Sequence, residues 1–211
     1  MVFRILGNAV PSFSLGGLIL GTGICLGQTS DLPYYMHKSF SPSWEDRGAR
    51  SLTFTGLQNQ LGQQISSRDW QGKITVLNFF FTGCPGLCDL LMKQMAKLRK
   101  ELPEEVRLVS MSVDPETDRP KVLRSYQERY PRNSYEWHLV TGKKSVIYNL
   151  ARAYFFAENT LKSDEAILHN EMFYLLDHKL RIRGIYNGTL PRSRKDIQSD
   201  VRSLLSSNRA N

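Results

Sequence analysis

One stretch constrains this chain more than any other. Ile74-Thr-Val-Leu-Asn-Phe-Phe-Phe81 is a near-continuous apolar run that ends just before Cys84-Pro-Gly-Leu-Cys88. Such a run is expected for a strand buried on both faces, which places it centrally in a sheet. Beyond it, Cys88, Leu91, Met92, Met95, Leu98 and Leu102 recur at i, i+3, i+4 and i+7, and Pro103 stops the pattern. That spacing predicts an amphipathic helix. Two sulfurs therefore stand at a strand-to-helix junction, where unpaired backbone N–H groups and the positive end of the macrodipole favour thiolates. The bland alternative is two cysteines that fill space, as buried cysteines often do.

The rest of the body alternates strand and helix signals. Leu52-Thr-Phe-Thr55 alternates and Gly62 marks a turn; Val106–Val113 reads as a second buried strand. A helical stretch near 119–130 precedes a strand at Glu136–Val140, a turn at Gly142 and a helix near 143–153. Met172–Leu176 and Leu180–Tyr186 read as a hairpin around Asp177-His-Lys179, and 192–206 as a closing helix. The order β-α-β-α-β-α-β-β-α implies an α/β fold, a mixed central sheet flanked by helices with an N-terminal hairpin extension. Its first unit, strand then cysteine-bearing turn then helix, is the thioredoxin-like arrangement.

Upstream, residues 1–27 carry Arg4 and then an apolar segment from Leu15 to Gly27, of the length of a signal-peptide core. Cleavage after Gly27 and retention of 5–27 as a membrane anchor are both open readings; bulky Ile24 argues against lipid attachment at Cys25. Export to the periplasm or the outer face of the cytoplasmic membrane is expected either way. Residues 28–50, with Pro33, Pro42 and Tyr34-Tyr35, show no period and read as an arm leading into a domain at 51–208. With 28 Lys+Arg against 20 Asp+Glu, the net charge of +8 suits an acidic protein, an anionic membrane or nucleic acid. The leader argues against nucleic acid.

The spacing of Cys84 and Cys88 is one residue longer than C-x-x-C. Residues four apart on a helix have Cβ atoms about 5–6 Å apart, whereas a disulfide wants them near ~3.8 Å. A bridging metal, with metal–sulfur bonds of ~2.3 Å, tolerates the wider separation. Oxidation stays feasible, because Pro85 and Gly86 allow local distortion. Of the four histidines, His37 lies in the arm, His138 inside a strand and His178 in a hairpin turn. His169 differs: it immediately precedes the strand at Met172, in a loop expected to face the cysteines, and no proline occurs between Pro131 and Pro191. It stands as a ligand or as a satisfied loop histidine. Two thiolates and an imidazole suit copper, whereas zinc would want a fourth strong donor. Met92 and Met95 read as core, and Asp114 as an Asp-Pro turn residue, or as one that supports the metal ligands from behind or docks a partner.

Phe79-Phe-Phe-Thr-Gly-Cys-Pro-Gly-Leu-Cys88, Ser110-Met-Ser-Val-Asp-Pro-Glu-Thr-Asp118, Leu139-Val-Thr-Gly142 and His169 ahead of an aromatic strand together resemble the Sco/SenC/PrrC copper-chaperone family. The resemblance runs from about Leu52 to Leu205 and includes Leu32-Pro-Tyr-Tyr35 and Phe40-Ser-Pro-Ser-Trp44 of the arm. It implies one copper held by Cys84, Cys88 and His169, with Asp114 at the family's aspartate position. It implies delivery of copper from an upstream donor to an apo-cuproprotein, foremost the CuA site of cytochrome c oxidase subunit II, or reduction of that target's cysteines. In this chain Gly86-Leu87 and Asp89 depart from the common pattern, so that Gly86 is expected to loosen the loop and Asp89 to add negative charge near the sulfurs.

Two enzymatic readings compete. A thiol–disulfide oxidoreductase would cycle Cys84 and Cys88 without metal, and Phe81-Thr82 ahead of Cys84 keeps a peroxidase in view. The basic residues Lys179, Arg181, Arg183, Arg192, Arg194 and Lys195 read as a solvated face, or as a positive rim that steers an acidic partner.

Overall fold

The computed structural model describes residues 32–36, 41–130, 136–155 and 171–209. In chain order they form β1 (Tyr34–Tyr35), β2 (Pro42–Ser43), β3 (Leu57–Asn59), β4 (Gln64–Ile65), α1 (Ser67–Trp70), β5 (Thr75–Phe80), α2 (Leu87–Glu101) and β6 (Arg107–Ser112). There follow α3 (Pro120–Gln127), β7 (Trp137–Gly142), α4 (Lys144–Tyr154), β8 (Met172–Leu176), β9 (Ile182–Asn187) and α5 (Pro191–Arg209). From β5 onward this is the expected order. No helix among the described residues is long and apolar enough to cross a membrane.

All six residues of β5 are buried, because the strand has neighbours on both sides and helices on both faces. It pairs in parallel with β6 and antiparallel with β8 in a seven-stranded sheet ordered β4-β3-β7-β6-β5-β8-β9. β7 continues the parallel set beside β6. The carboxyl ends of β5, β6 and β7 therefore lie on one edge of the sheet. Alternation along β5 divides the core. Val76 and Phe80 pack with Leu91, Met92, Met95 and Leu98 of α2 and with Ile197 and Val201 of α5. Leu77 and Phe79 face Ile147, Leu150 and Ala151 of α4. The result is a helix–sheet–helix sandwich in which α2 is anchored by the stripe read from its sequence.

Three local expectations change. Leu52 and Phe54 are buried while Thr53 and Thr55 are exposed, so the alternation is real, but the segment joins no ladder. Its Leu52 N–H bonds the Leu180 carbonyl instead (2.9 Å). Gly142 is the last residue of β7 and not a turn: a Cβ there would meet Leu57 Cδ2 at 2.7 Å, so the glycine allows β3 to approach closely. Part of the arm is structured. β1 and β2 pair antiparallel, Tyr34 opposite Ser43, and this hairpin docks on β9.

Candidate metal centre

The backbone between β5 and α2 determines where the two sulfurs sit. Gly86 precedes the first helical residue with φ +91°, a conformation that side chains rarely tolerate. It permits the turn into α2 and does not simply slacken the loop, which corrects the expectation for this position. Cys88 is the second residue of α2, so its N–H has no intrahelical acceptor. That N–H donates to Cys84 Sγ at 3.4 Å. Cys84 thus caps the helix with sulfur, where negative charge is favoured. Both cysteines are free thiols.

The two differ in exposure. Cys84 is half-buried, while Cys88 is 5% exposed and belongs to the core beneath α2. Burial, reinforced by hydrogen bonding to Cys84, pushes the Cys88 thiol up to about 12, although the Phe81 backbone works the other way. The expectation of a favoured thiolate at both positions therefore fails at Cys88, where desolvation outweighs the helix end. A metal ion that takes this sulfur must displace its proton.

Asp114 stands just past β6, at the same edge as the cysteine loop, since Val113 N–H bonds the Phe80 carbonyl (2.9 Å). Its own N–H donates to Ser112 Oγ (3.1 Å), and its carbonyl accepts from the Asp118 N–H (2.8 Å). The carboxylate that reaches the cysteine loop is that of Asp118, four residues further on, which is 0% exposed. It accepts from the Thr82 N–H (3.0 Å), from the Thr82 hydroxyl, and from the Ser112 hydroxyl (2.6 Å). Asp118 is the site residue that sequence reasoning passed over. The available signal was its place in Asp114-Pro-Glu-Thr-Asp118, where two more acidic residues, Glu116 and Asp118, follow the Asp-Pro pair.

His169, like His37 and Cys25, lies outside the described residues. The first described residue after His169 is Glu171, and Glu171 is firmly placed. Its carbonyl accepts from Gly188 N–H (2.8 Å) and its carboxylate from Asn187 Nδ2 (2.8 Å). A Cβ on Gly188 would lie 2.7 Å from Leu91 Cδ2, so the glycine lets this junction sit against the helix turn just after Cys88. Among the described residues no group of three His, Cys, Asp or Glu gathers as a metal site. His138 points to the opposite end of the sheet, with Nε2 3.9 Å from Glu136. Met92 and Met95 are fully buried core.

Much of the expected positive rim is spoken for. Arg181 and Arg183 pair with buried Asp177 (2.8 and 3.5 Å), Arg192 with Asp196 (3.3 Å), and Arg194 with Glu101. Arg183, 4% exposed, also donates to the Pro33 carbonyl (3.1 Å) and lies 3.9 Å over the Tyr34 ring. These strand arginines hold the arm, which corrects their reading as a solvated face. Asp89, expected to add charge near the sulfurs, is paired with Lys93 at 2.7 Å.

A sequence model described as SCO1/SenC matches residues 48–206. The SCO1 protein homolog of Bacillus subtilis (strain 168) is 34% identical over 152 residues, which covers 70% of this chain and 79% of that protein. The solved structure of BsSco, described as a member of the Sco family of cytochrome c oxidase assembly proteins with a disulfide switch, is 32% identical with a TM-score of 0.62. The match covers 75% of this chain and 96% of that one. Arabidopsis thaliana ScoI, solved with copper bound, shares the fold at 23% identity and a TM-score of 0.59, covering 71% of this chain and 96% of that chain.

Proposed function

Because the chain belongs to the SCO1/SenC family, we propose that it is an exported metallochaperone carrying one copper as cargo between Cys84, Cys88 and His169. The observation that carries this reading is the sulfur pair itself: two free thiols at the start of α2, with Cys84 Sγ seated on the Cys88 amide. Soft thiolates of this kind, joined by an imidazole, suit Cu(I). The third ligand is supported by tethering. His169 is two residues from Glu171, and two residues of chain span at most about 7 Å. Glu171 is fixed beside Gly188 and hence near Leu91, one turn after Cys88.

The chemistry is ligand exchange coupled to proton transfer. Copper entry releases the proton that burial holds on Cys88, and copper departure takes one back, so the raised thiol pKa favours release to a client with more acidic ligands. The client proposed is an apo-cuproprotein, foremost the CuA site of cytochrome c oxidase subunit II, with copper supplied by an upstream donor. The apolar leader supports placement in the periplasm or on the outer face of the cytoplasmic membrane, with 5–27 as a tether if it is retained. Domain boundaries at 1–27, 28–50 and 51–208 are part of the proposal.

A second reading, thiol–disulfide exchange with the client's cysteines, is favoured by the free and unequal thiols: Cys84 is accessible to attack and Cys88 is placed to resolve. Cu(I) titration of the full chain against a chromophoric chelator separates the two. Wild type should take up about one copper per chain, and Cys84→Ser, Cys88→Ser and His169→Ala should each weaken uptake by about tenfold or more. Unaltered uptake in all three variants removes the copper site. Loss in the cysteine variants with no effect of His169→Ala favours the oxidoreductase.

A further inference from the structure

We infer that Asp118 is a positioning residue for the cysteine pair: its buried carboxylate clamps Thr82, and through Thr82 it holds the Cys84 loop in the separated dithiol arrangement. The inference rests on the reading of Cys84 and Cys88 as the working pair, and it concerns what keeps them apart. Asp118 takes three hydrogen bonds from two segments that meet at the sheet edge. Ser112, at the end of β6, donates its hydroxyl (2.6 Å); Thr82, two residues before Cys84, donates both its N–H (3.0 Å) and its hydroxyl. All the donors are neutral, and the carboxylate is completely buried. Hydrogen bonds to an ionised acceptor away from water are among the stronger ones a protein makes.

The clamp has a direction. In the dithiol state Cys84 Sγ rests on the Cys88 N–H, and the loop upstream is tied down at Thr82. Two free thiols must close to a sulfur–sulfur bond of about 2.0 Å to be oxidised. Because Cys88 is fixed in α2 and the core, the movement falls to the loop from Phe81 to Gly86, and the Thr82–Asp118 bonds resist it. The clamp therefore biases the pair toward the open dithiol, the form able to accept a metal ion.

Equilibration with glutathione tests this without copper. The reaction transfers two electrons and two protons: both thiols lose hydrogen to form the Cys84–Cys88 disulfide, and glutathione disulfide is reduced to two thiols. The full chain carrying Cys25→Ser, with a copper chelator present, should shift toward the disulfide by about tenfold in Asp118→Ala, the equivalent of about 1.4 kcal/mol. Thr82→Val should shift it in the same sense, and it serves if Asp118→Ala does not fold. Asp118→Asn keeps the shape, and its amide can donate to a rotated Thr82 hydroxyl, so it should stay within about threefold of wild type. Ser110→Ala, which removes a buried bond to Asn78 in the middle of the sheet, should lower the melting temperature and leave the equilibrium alone.

An unchanged equilibrium in both Asp118→Ala and Thr82→Val overturns the clamp, and so does an equal shift in Ser110→Ala. Equal shifts in Asp118→Ala and Asp118→Asn would assign the effect to charge and also overturn it. Since copper takes no part, a failed copper titration and a failed clamp are separate results.

Discussion

Each end of the three parallel strands holds a carboxylate, partly buried at one end and fully buried at the other, and the two are satisfied by opposite means. At the amino ends Glu136 lies beside two cations, Lys73 Nζ at 2.6 Å and Arg107 Nε at 3.3 Å, and beside the His138 ring, whose Nε2 is at 3.9 Å. Burial opposes ionisation of Glu136, yet the bond from Lys73 and the charge of Arg107 hold its carboxyl below the usual range. At the carboxyl ends Asp118 is satisfied by hydroxyls and an amide, and no ion pair to it is found among the described residues. The charge at the first end is spent locally. At the second it remains uncompensated beneath the thiols, where it adds to the burial that keeps Cys88 protonated. One end is built for stability, the other to hold reactive groups in a chosen state.

Removing Glu136 should break the first end most severely. Arg107, with a side chain 9% exposed, already has Nη1 without an acceptor, and Glu136→Ala would take the paired carboxylate from a buried guanidinium and from Lys73. Loss of the glutamate from a pair buried on the arginine side and partly exposed on the other should cost about 2 kcal/mol, less than for a fully buried pair, read as a lower urea midpoint. Copper uptake per folded chain should be unchanged. A stability loss accompanied by weaker copper uptake would show that the two ends are not independent.

Alkali should probe the second end. The Cys88 thiol, ordinarily near 9.0, is raised to about 12 in the folded metal-free chain. Above pH 9 the unfolded chain loses this proton first, so the folded state binds more protons and stability falls as pH rises. The contribution is fully present below 9 and disappears as pH climbs toward 12. Between pH 9 and 10.5 the loss attributable to Cys88 is about 2 kcal/mol. Buried Tyr126, whose pKa is raised by desolvation and by its bond to Tyr130, acts in the same sense. Comparison of the alkaline slopes of wild type and Cys88→Ala isolates the cysteine; parallel slopes would show that the buried thiol is not the source.

The same contrast explains what could be read from the sequence. β5 and α2 were legible because their signals are local and dense: a run of consecutive apolar residues and a repeated stripe ending at Pro103. The cysteine junction followed from their adjacency. Long-range pairings leave no such mark. Arg183 looks like a solvated strand arginine, yet its partners Leu32 and Pro33 lie some 150 residues away. Leu52 and Phe54 alternate like a strand because extended chain buries every second residue whether or not a ladder forms. Asp118 was hidden by chemistry: its partners are Thr82 and Ser112, residue types that carry no pattern until the fold brings them together.

The smallest expected effect tests whether surface charge near the cysteines acts as buried charge does. Asp89 immediately follows Cys88, but its carboxylate points outward, half-exposed, and is engaged by Lys93 at 2.7 Å. A solvent-screened pair one turn along the helix contributes little at a distance. Asp89→Asn should therefore alter the rate of Cys84 alkylation by less than about twofold at 0.15 M salt, with slightly more at low salt. Asp118 is farther from Cys88 along the chain, but its charge is buried, and water does not screen it. A change in alkylation rate in Asp89→Asn as large as that in Asp118→Asn, which removes the buried charge and keeps the side-chain shape, would mean that proximity in sequence, and not burial, sets how strongly a carboxylate's charge acts on these thiols.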